Sequence, residues 1–150
     1  AEALLVDFEP SRIPEDAAWP IAMALWAEVV ARLGSSDTCA ELLRLLESNR
    51  RDHFLTGGMY CGAVNRVVAL LEDRRGDHAA ADEAFAAAVE DHTRLQSPPW
   101  VARTHLDWSE ALLARGETDG AAAQLDAAET ALGDLDLPES RTRLAALRRR

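Results

Sequence analysis

The chain contains no lysine; all sixteen of its basic residues are arginine. A phosphate loop of the Walker type needs its lysine to reach the phosphates, so ATP chemistry by that route is excluded for this segment. Cysteine is nearly absent too. Cys39 and Cys61 stand 22 residues apart, which makes no disulfide framework, and both read as small residues buried within or beside helices. Aromatics supply 5% of the residues and β-branched runs are short, so strand signals are weak throughout. No apolar run approaches the roughly 20 residues needed to cross a bilayer. The opening Ala1 to Pro10 has no basic region followed by an apolar core, so no signal peptide is visible and a cytoplasmic location is expected. His53, His78, His92 and His105 never fall at metal-ligand spacing, and no His-Glu-x-x-His run exists. Neither a metal nor another cofactor is expected.

What is present is a balanced globular composition. The 150 residues, 48% hydrophobic and 28% charged, suit one folded domain spanning 1–150. Ala1 is not an initiator, and the chain reads as a piece excised from a longer polypeptide. The formal net charge is -10, and Arg141, Arg143, Arg148, Arg149 and Arg150 crowd the last ten residues. The preceding 140 residues therefore set eleven basic side chains against 26 acidic ones, which argues against direct nucleic-acid binding by this segment. The terminal arginines suit a helix C-terminus, where cations meet the negative end of the helix dipole.

Alanine makes up about a fifth of the chain, and leucine, glutamate and arginine are frequent, all strong helix formers. The pattern predicts helix pairs over about 20–48, 60–95 and 100–135, and a terminal helix over 139–150. Within these, helices are expected at Pro20–Leu33, Thr38–Ser48, Tyr60–Arg75, His78–Leu95, Trp100–Arg115 and Asp119–Leu135. Pro20 fits a first turn, where its missing N–H has no partner to lose. Gly34, Gly76 and Gly116 end the first helix of each pair, and Ser35, Ser36 and Asp37 offer cap oxygens. Ala1–Phe8 suggests the remnant of an earlier helix.

The three turn glycines are spaced by 42 and 40 residues. On that register Trp26, Val68 and Trp108 align, followed by Ala27, Ala69 and Ser109. Beyond the turn come Cys39, Ala81 and Ala121, then Leu43, Phe85 and Leu125, then Leu46, Ala88 and Ala128. Small residues let two helices approach closely, and large apolar ones fill the layer between pairs. Neither helix of a pair buries its apolar face alone, so such units stack. The expected fold is all-α, a tetratricopeptide-like superhelix of about three stacked antiparallel pairs plus a short terminal helix.

This order of small and large residues resembles the tetratricopeptide pattern, although Glu72 stands where that pattern has a large apolar residue. The residues Arg66, Leu70, Gly76–Asp77, Ala80–Phe85, Pro99–Asp107 and Leu112–Gly116 carry a closer likeness. They resemble the helical-repeat tails of actinobacterial-type multidomain signalling regulators, over about the last two-thirds of the chain. The resemblance implies a tail that follows a nucleotide-binding ATPase and is linked to a LuxR-type DNA-binding domain or an adenylate cyclase. Those activities would belong to other segments.

No catalytic residue is expected. Asp52–His53 suggests an acid–base pair, but neighbours on a helix point apart. Asp77, Glu117 and Asp119 near helix starts are explained by capping and dipole interactions. If the first helix of each pair lines a groove, Glu28, Arg32, Arg66, Asp73, Arg74, Arg103 and Glu110 fall on or near it. Arginines there can offer paired N–H groups to a ligand carboxylate; alternatively, these residues bridge adjacent repeats. Trp26 and Trp108 are expected in the core, Trp100 between repeats, and Trp19 half exposed. The function expected is non-catalytic. One reading is a regulatory sensor that binds a protein, a peptide or adjacent domains of the same polypeptide. The other is a structural spacer or self-associating module, and a small-ligand sensor is the least favoured. No membrane contact is expected.

Overall fold

In the computed structural model, the structure describes residues 13, 16, 18–50, 52–56 and 58–150. The suggested helix at Ala1–Phe8 lies outside the described residues. Most of the described residues are helical, and the only strands among them form one two-stranded sheet, so the fold class is all-α. The order is α1 (Trp19–Leu33), α2 (Ser36–Leu46), a 3-10 turn (Glu47–Asn49), β1 (His53–Thr56), β2 (Met59–Ala63), α3 (Val64–Arg75), α4 (His78–Arg94), α5 (Pro98–Arg115), α6 (Thr118–Leu132) and α7 (Pro138–Leu147). Packing divides the chain into two compact units, Ala1–Ala84 and Phe85–Arg150, with the boundary inside α4.

In the first unit α3 packs on both α1 and α2. Ser35 caps α2, its Oγ accepting from the Thr38 N–H at 3.2 Å. Met23, Ala27 and Val30 of α1 meet a core completed by Cys39, Leu42 and Leu46 of α2 and by Val67, Val68 and Leu71 of α3, all buried. The helix expected from Tyr60 begins only at Val64; before it lies an antiparallel hairpin pairing Leu55 with Tyr60 and Thr56 with Met59. Its cause is local. Gly57 and Gly58 separate two short runs with apolar and aromatic residues, and Gly58 turns at φ +82°. Phe54 is buried beside an exposed Leu55, the two-residue period of a strand rather than a helix. The Val64 N–H donates to the Asp52 carbonyl at 3.2 Å and ties the hairpin base to the start of α3.

The three turn glycines work by two mechanisms. Gly76 and Gly116 are left-handed, at φ +87° and +80°. Each closes its helix with a paired bond set: Gly76 N–H to Asp73 O and Asp77 N–H to Glu72 O, then Gly116 N–H to Leu113 O and Glu117 N–H to Leu112 O. Gly34 is extended instead, at φ -78° and ψ 165°, so it is not a left-handed cap. It is required for space: a Cβ there would sit 2.6 Å from Val30 Cγ1 and 2.7 Å from Val30 O.

The second unit is built on α5 against α6, with α7 packed on both. Leu144 and Leu147 of α7 complete a core with Ala102, Leu106, Leu125, Ala128 and Leu132. The second half of α4 joins through side chains. Phe85 stacks on Trp108 with ring centroids 5.7 Å apart and planes at 14°. His92 is fully buried, its Nδ1 3.0 Å from Thr104 Oγ1. That hydroxyl gives its one proton to the Trp100 carbonyl at 2.9 Å, so His92 is the donor and carries its proton on Nδ1. Trp26 and Trp108, expected in the core, are only half-buried; full burial falls on the next position, Ala27 and Ser109. The α4 C-terminus repeats the paired closure, Gln96 N–H to Thr93 O and Ser97 N–H to His92 O, with Gln96 forced to φ +51°.

Candidate functional site

Six of the seven expected groove residues engage other parts of the chain. In the first unit Arg66 Nη1 donates to Glu28 Oε1 at 2.9 Å, and Arg66 is only 2% exposed. The arginine expected to reach for a ligand carboxylate is thus buried, with a carboxylate supplied from α1. Arg74 directs both Nε and Nη2 to the Gly34 carbonyl at 3.2 Å each. Asp73 Oδ1 lies 3.3 Å from His78 Nδ1 across the turn. Arg32 is exposed near the end of α1. In the second unit the Arg103 guanidinium sits 5.1 Å from the centre of the Trp100 ring, a cation–π contact. Glu110 receives Arg143 Nη2 at 2.6 Å and lies 3.5 Å from Arg150 Nη1. Of the seven, the structure joins Glu28 to Arg66 directly.

The terminal arginines have specific partners on α5 and α6. Arg143 spans Asp107 Oδ1 at 2.7 Å and Glu110 Oε2 at 2.6 Å. Burial alone would lower the Arg143 pKa, but the charges and hydrogen bonds of Asp107 and Glu110 outweigh it and raise it above the ordinary arginine value. Arg148 spans Asp126 and Glu129 at 2.7 and 2.8 Å, and Arg141 donates to the carbonyls of Gly133 and Leu135. The arginine-rich end is therefore not only a solvated helix terminus; it fastens α7 to its own unit.

A concave surface appears beside the hairpin. An open cleft of about 360 Å³ is lined by Trp19, Pro20, Asn49, Asp52, His53 and Leu55, among others. A smaller one of about 250 Å³ shares Trp19, Pro20 and Asn49. The half-exposed Trp19 expected from the sequence forms its aromatic wall. Asp52 and His53 are not helical neighbours here, since His53 opens β1. Asp52 Oδ2 accepts from Asn49 Nδ2 at 3.2 Å, and His53 Nδ1 lies 3.3 Å from the Tyr60 hydroxyl. An apolar wall with an amide, a carboxylate and an imidazole at its rim suits docking of a peptide side chain. Asn49, Leu55 and Tyr60 were not anticipated; the Gly57–Gly58 pair between two short apolar runs was the available signal.

Two isolated groups have shifted protonation. Burial raises the Cys39 thiol pKa, against the lowering effect of Arg74 and Arg75. Burial lowers the His105 pKa, against the raising effect of its hydrogen bond to Gln124 Oε1 at 2.7 Å. Cys61 lies on β2 rather than beside a helix and is half-buried. Among the described residues, no group of three or more His, Cys, Asp or Glu side chains is placed to hold a metal ion, and no helix is long and apolar enough to cross a membrane. No family model, curated protein or solved structure matches the chain.

Proposed function

We propose that this chain is a non-catalytic helical-repeat domain that recognises protein or peptide surfaces in a bacterial signalling or transcription-regulating polypeptide. Its finer architecture is a tetratricopeptide-like superhelix of about three stacked pairs. The observation that carries this reading is the agreement between sequence register and burial. Ala27, Ala69 and Ser109 are all 0% exposed, as are Cys39, Ala81 and Ala121 and then Leu46, Ala88 and Ala128. Three segments with one pattern of burial are what stacked units of one kind require. The resemblance to the tails of multidomain ATPase regulators supplies the signalling context, and the Trp19 cleft supplies a surface suited to a peptide.

A second reading, a structural spacer, is favoured by one specific feature. Glu28, Arg66, Asp73, Arg74 and Glu110 all engage partners within the chain, as a filled and salt-bridged surface would. A photo-crosslinking residue placed at Trp19 in cells separates the two. Transfer to a defined protein partner, lost when Leu55 is replaced by aspartate, supports recognition through the cleft. No transfer at any expression level leaves the spacer. An immunoblot of source cells tests the context: a band several times 16.4 kDa supports a multidomain regulator, and a band near 16.4 kDa refutes it.

A further inference from the structure

Trp19 opens α1 and borders two clefts. The larger, about 360 Å³, has an apolar wall of Phe54, Leu55 and Val64. The smaller, about 250 Å³, is bordered by Asp16, Leu45 and Ser48. Pro20 and Asn49 line both, as Trp19 does, so the clefts are neighbouring halves of one surface. One half is mainly apolar and the other mainly polar.

Each half has a carboxylate, Asp52 in the larger and Asp16 in the smaller. Both are held in place by one oxygen. The Ala18 N–H donates to Asp16 Oδ1 at 2.8 Å, and the Trp19 N–H donates to the Asp16 carbonyl at 3.0 Å. Asn49 Nδ2 donates to Asp52 Oδ2 at 3.2 Å, while Asn49 Oδ1 accepts from Ser48 Oγ at 3.0 Å. The second oxygen of each carboxylate has no hydrogen-bond partner among the described residues. Among those residues no arginine lines either cleft, and Arg50, close by in sequence, is paired with Glu47 and Glu72 instead. An indole beside two oriented carboxylates, with no cation lining the clefts, is an environment suited to a guanidinium or an ammonium. The net charge of -10 favours approach of the same sign of ligand.

We infer that the Trp19 surface takes an extended peptide segment carrying a basic residue and an apolar residue two positions apart. The basic side chain lies along the indole toward Asp16, and the apolar one enters the half walled by Leu55. This inference rests on the reading of the chain as a recognition domain and names the chemistry recognised. Side chains two apart on an extended peptide point to one side about 7 Å from each other, which suits two clefts that share a border. The apolar half argues against a free small cation, because only a ligand that joins an apolar group to the charge fills both halves.

NMR titration of the intact chain with Ac-Leu-Ser-Arg-NH2 and with the reverse order, Ac-Arg-Ser-Leu-NH2, tests the inference. The signals read are the Trp19 indole N–H, assigned with Trp19→Phe, and the Asn49 side-chain amide. In one of the two orders both move to saturation, with a Kd on the order of 1 mM. That peptide binds about fivefold tighter than its glutamine analogue, the factor for an exposed ion pair with a cation–π contact. The preference shrinks with added sodium chloride. Asp16→Asn with Asp52→Asn keeps both local hydrogen bonds and removes the preference, while Asp119→Asn on α6 leaves it intact. A preference that survives the double variant, or falls equally with Asp119→Asn, overturns the inference. Equal binding of the glutamine analogue, or tighter binding of a glutamate analogue, overturns the cationic chemistry and leaves peptide recognition standing. No saturable shift with any of these peptides up to about 20 mM also overturns it; the crosslinking at Trp19 then decides the recognition reading separately.

Discussion

Replacing Arg143 with methionine keeps much of the apolar stem and deletes the guanidinium. In the native chain that group bridges Asp107 and Glu110, whose situations differ: the Asp107 side chain is 2% exposed, that of Glu110 45%. Glu110 can turn to water. Asp107 cannot, and its carboxylate is left buried without its arginine. Breaking a buried pair from one side costs about 3–5 kcal/mol. Arg143 itself is 29% exposed, so water partly replaces it, and the lower end, about 3 kcal/mol, is expected. Arg148→Met is the matched control. Its partners Asp126 and Glu129 are 72% and 59% exposed, so its loss costs about 1 kcal/mol or less. Urea unfolding read by circular dichroism gives the two free energies, and hydrogen exchange shows whether α7 opens first. Adding Asp107→Asn to Arg143→Met removes the buried carboxylate charge and returns about 1 kcal/mol of the loss. Equal effects of the two arginine substitutions, or no recovery in the double variant, would falsify the assignment of Arg143 as the buried clamp.

Two further outcomes are expected. His105 has its folded pKa lowered by burial, so the unfolded chain binds its proton first as the medium acidifies. The stability that neutral His105 confers is present above its unfolded pKa of about 6.5 and is lost as pH falls through the lower folded value. His105→Asn flattens that part of the stability–pH curve, and an NMR titration of the imidazole places the midpoint below 6.5 in the folded protein. Gln96 holds the left-handed position that glycine fills at Gly76 and Gly116. Gln96→Gly relieves about 1 kcal/mol of strain and raises the unfolding midpoint, while Gly116→Ala lowers it by a similar amount.

Helices with strong punctuation were readable from the sequence. Gly76–Asp77 and Gly116 end α3 and α5 at the expected residues, and Asp77 caps α4, its Oδ1 accepting from the Ala80 N–H at 3.2 Å. The hairpin was not, because each strand is four or five residues long and β2 runs directly into the apolar start of α3, which hides the change of period. Gly34 was placed correctly as a turn, but its mechanism depends on how closely its backbone passes the Val30 carbonyl and side chain, which composition does not encode. The candidate site was least legible. Glu28 and Arg66 are 38 residues apart and Asp107 and Arg143 are 36 apart. Local charge pattern marks such residues as polar without saying which will be buried against each other.

The use of two-armed donors gives the missing lysine a structural meaning. Arg74 places two nitrogens on one carbonyl and Arg143 gives one nitrogen to each of two carboxylates, whereas Arg141 and Arg148 each reach two acceptors from Nη2 alone. A planar fork holds both acceptors at fixed separation, whereas an ammonium on a flexible stem is a compact point charge without that preset span. Exchanging arginine for lysine at Arg74 and Arg143 therefore preserves net charge but loosens two cross-links between segments distant in sequence. Charge-conserving drift is closed to this chain at those two fastenings.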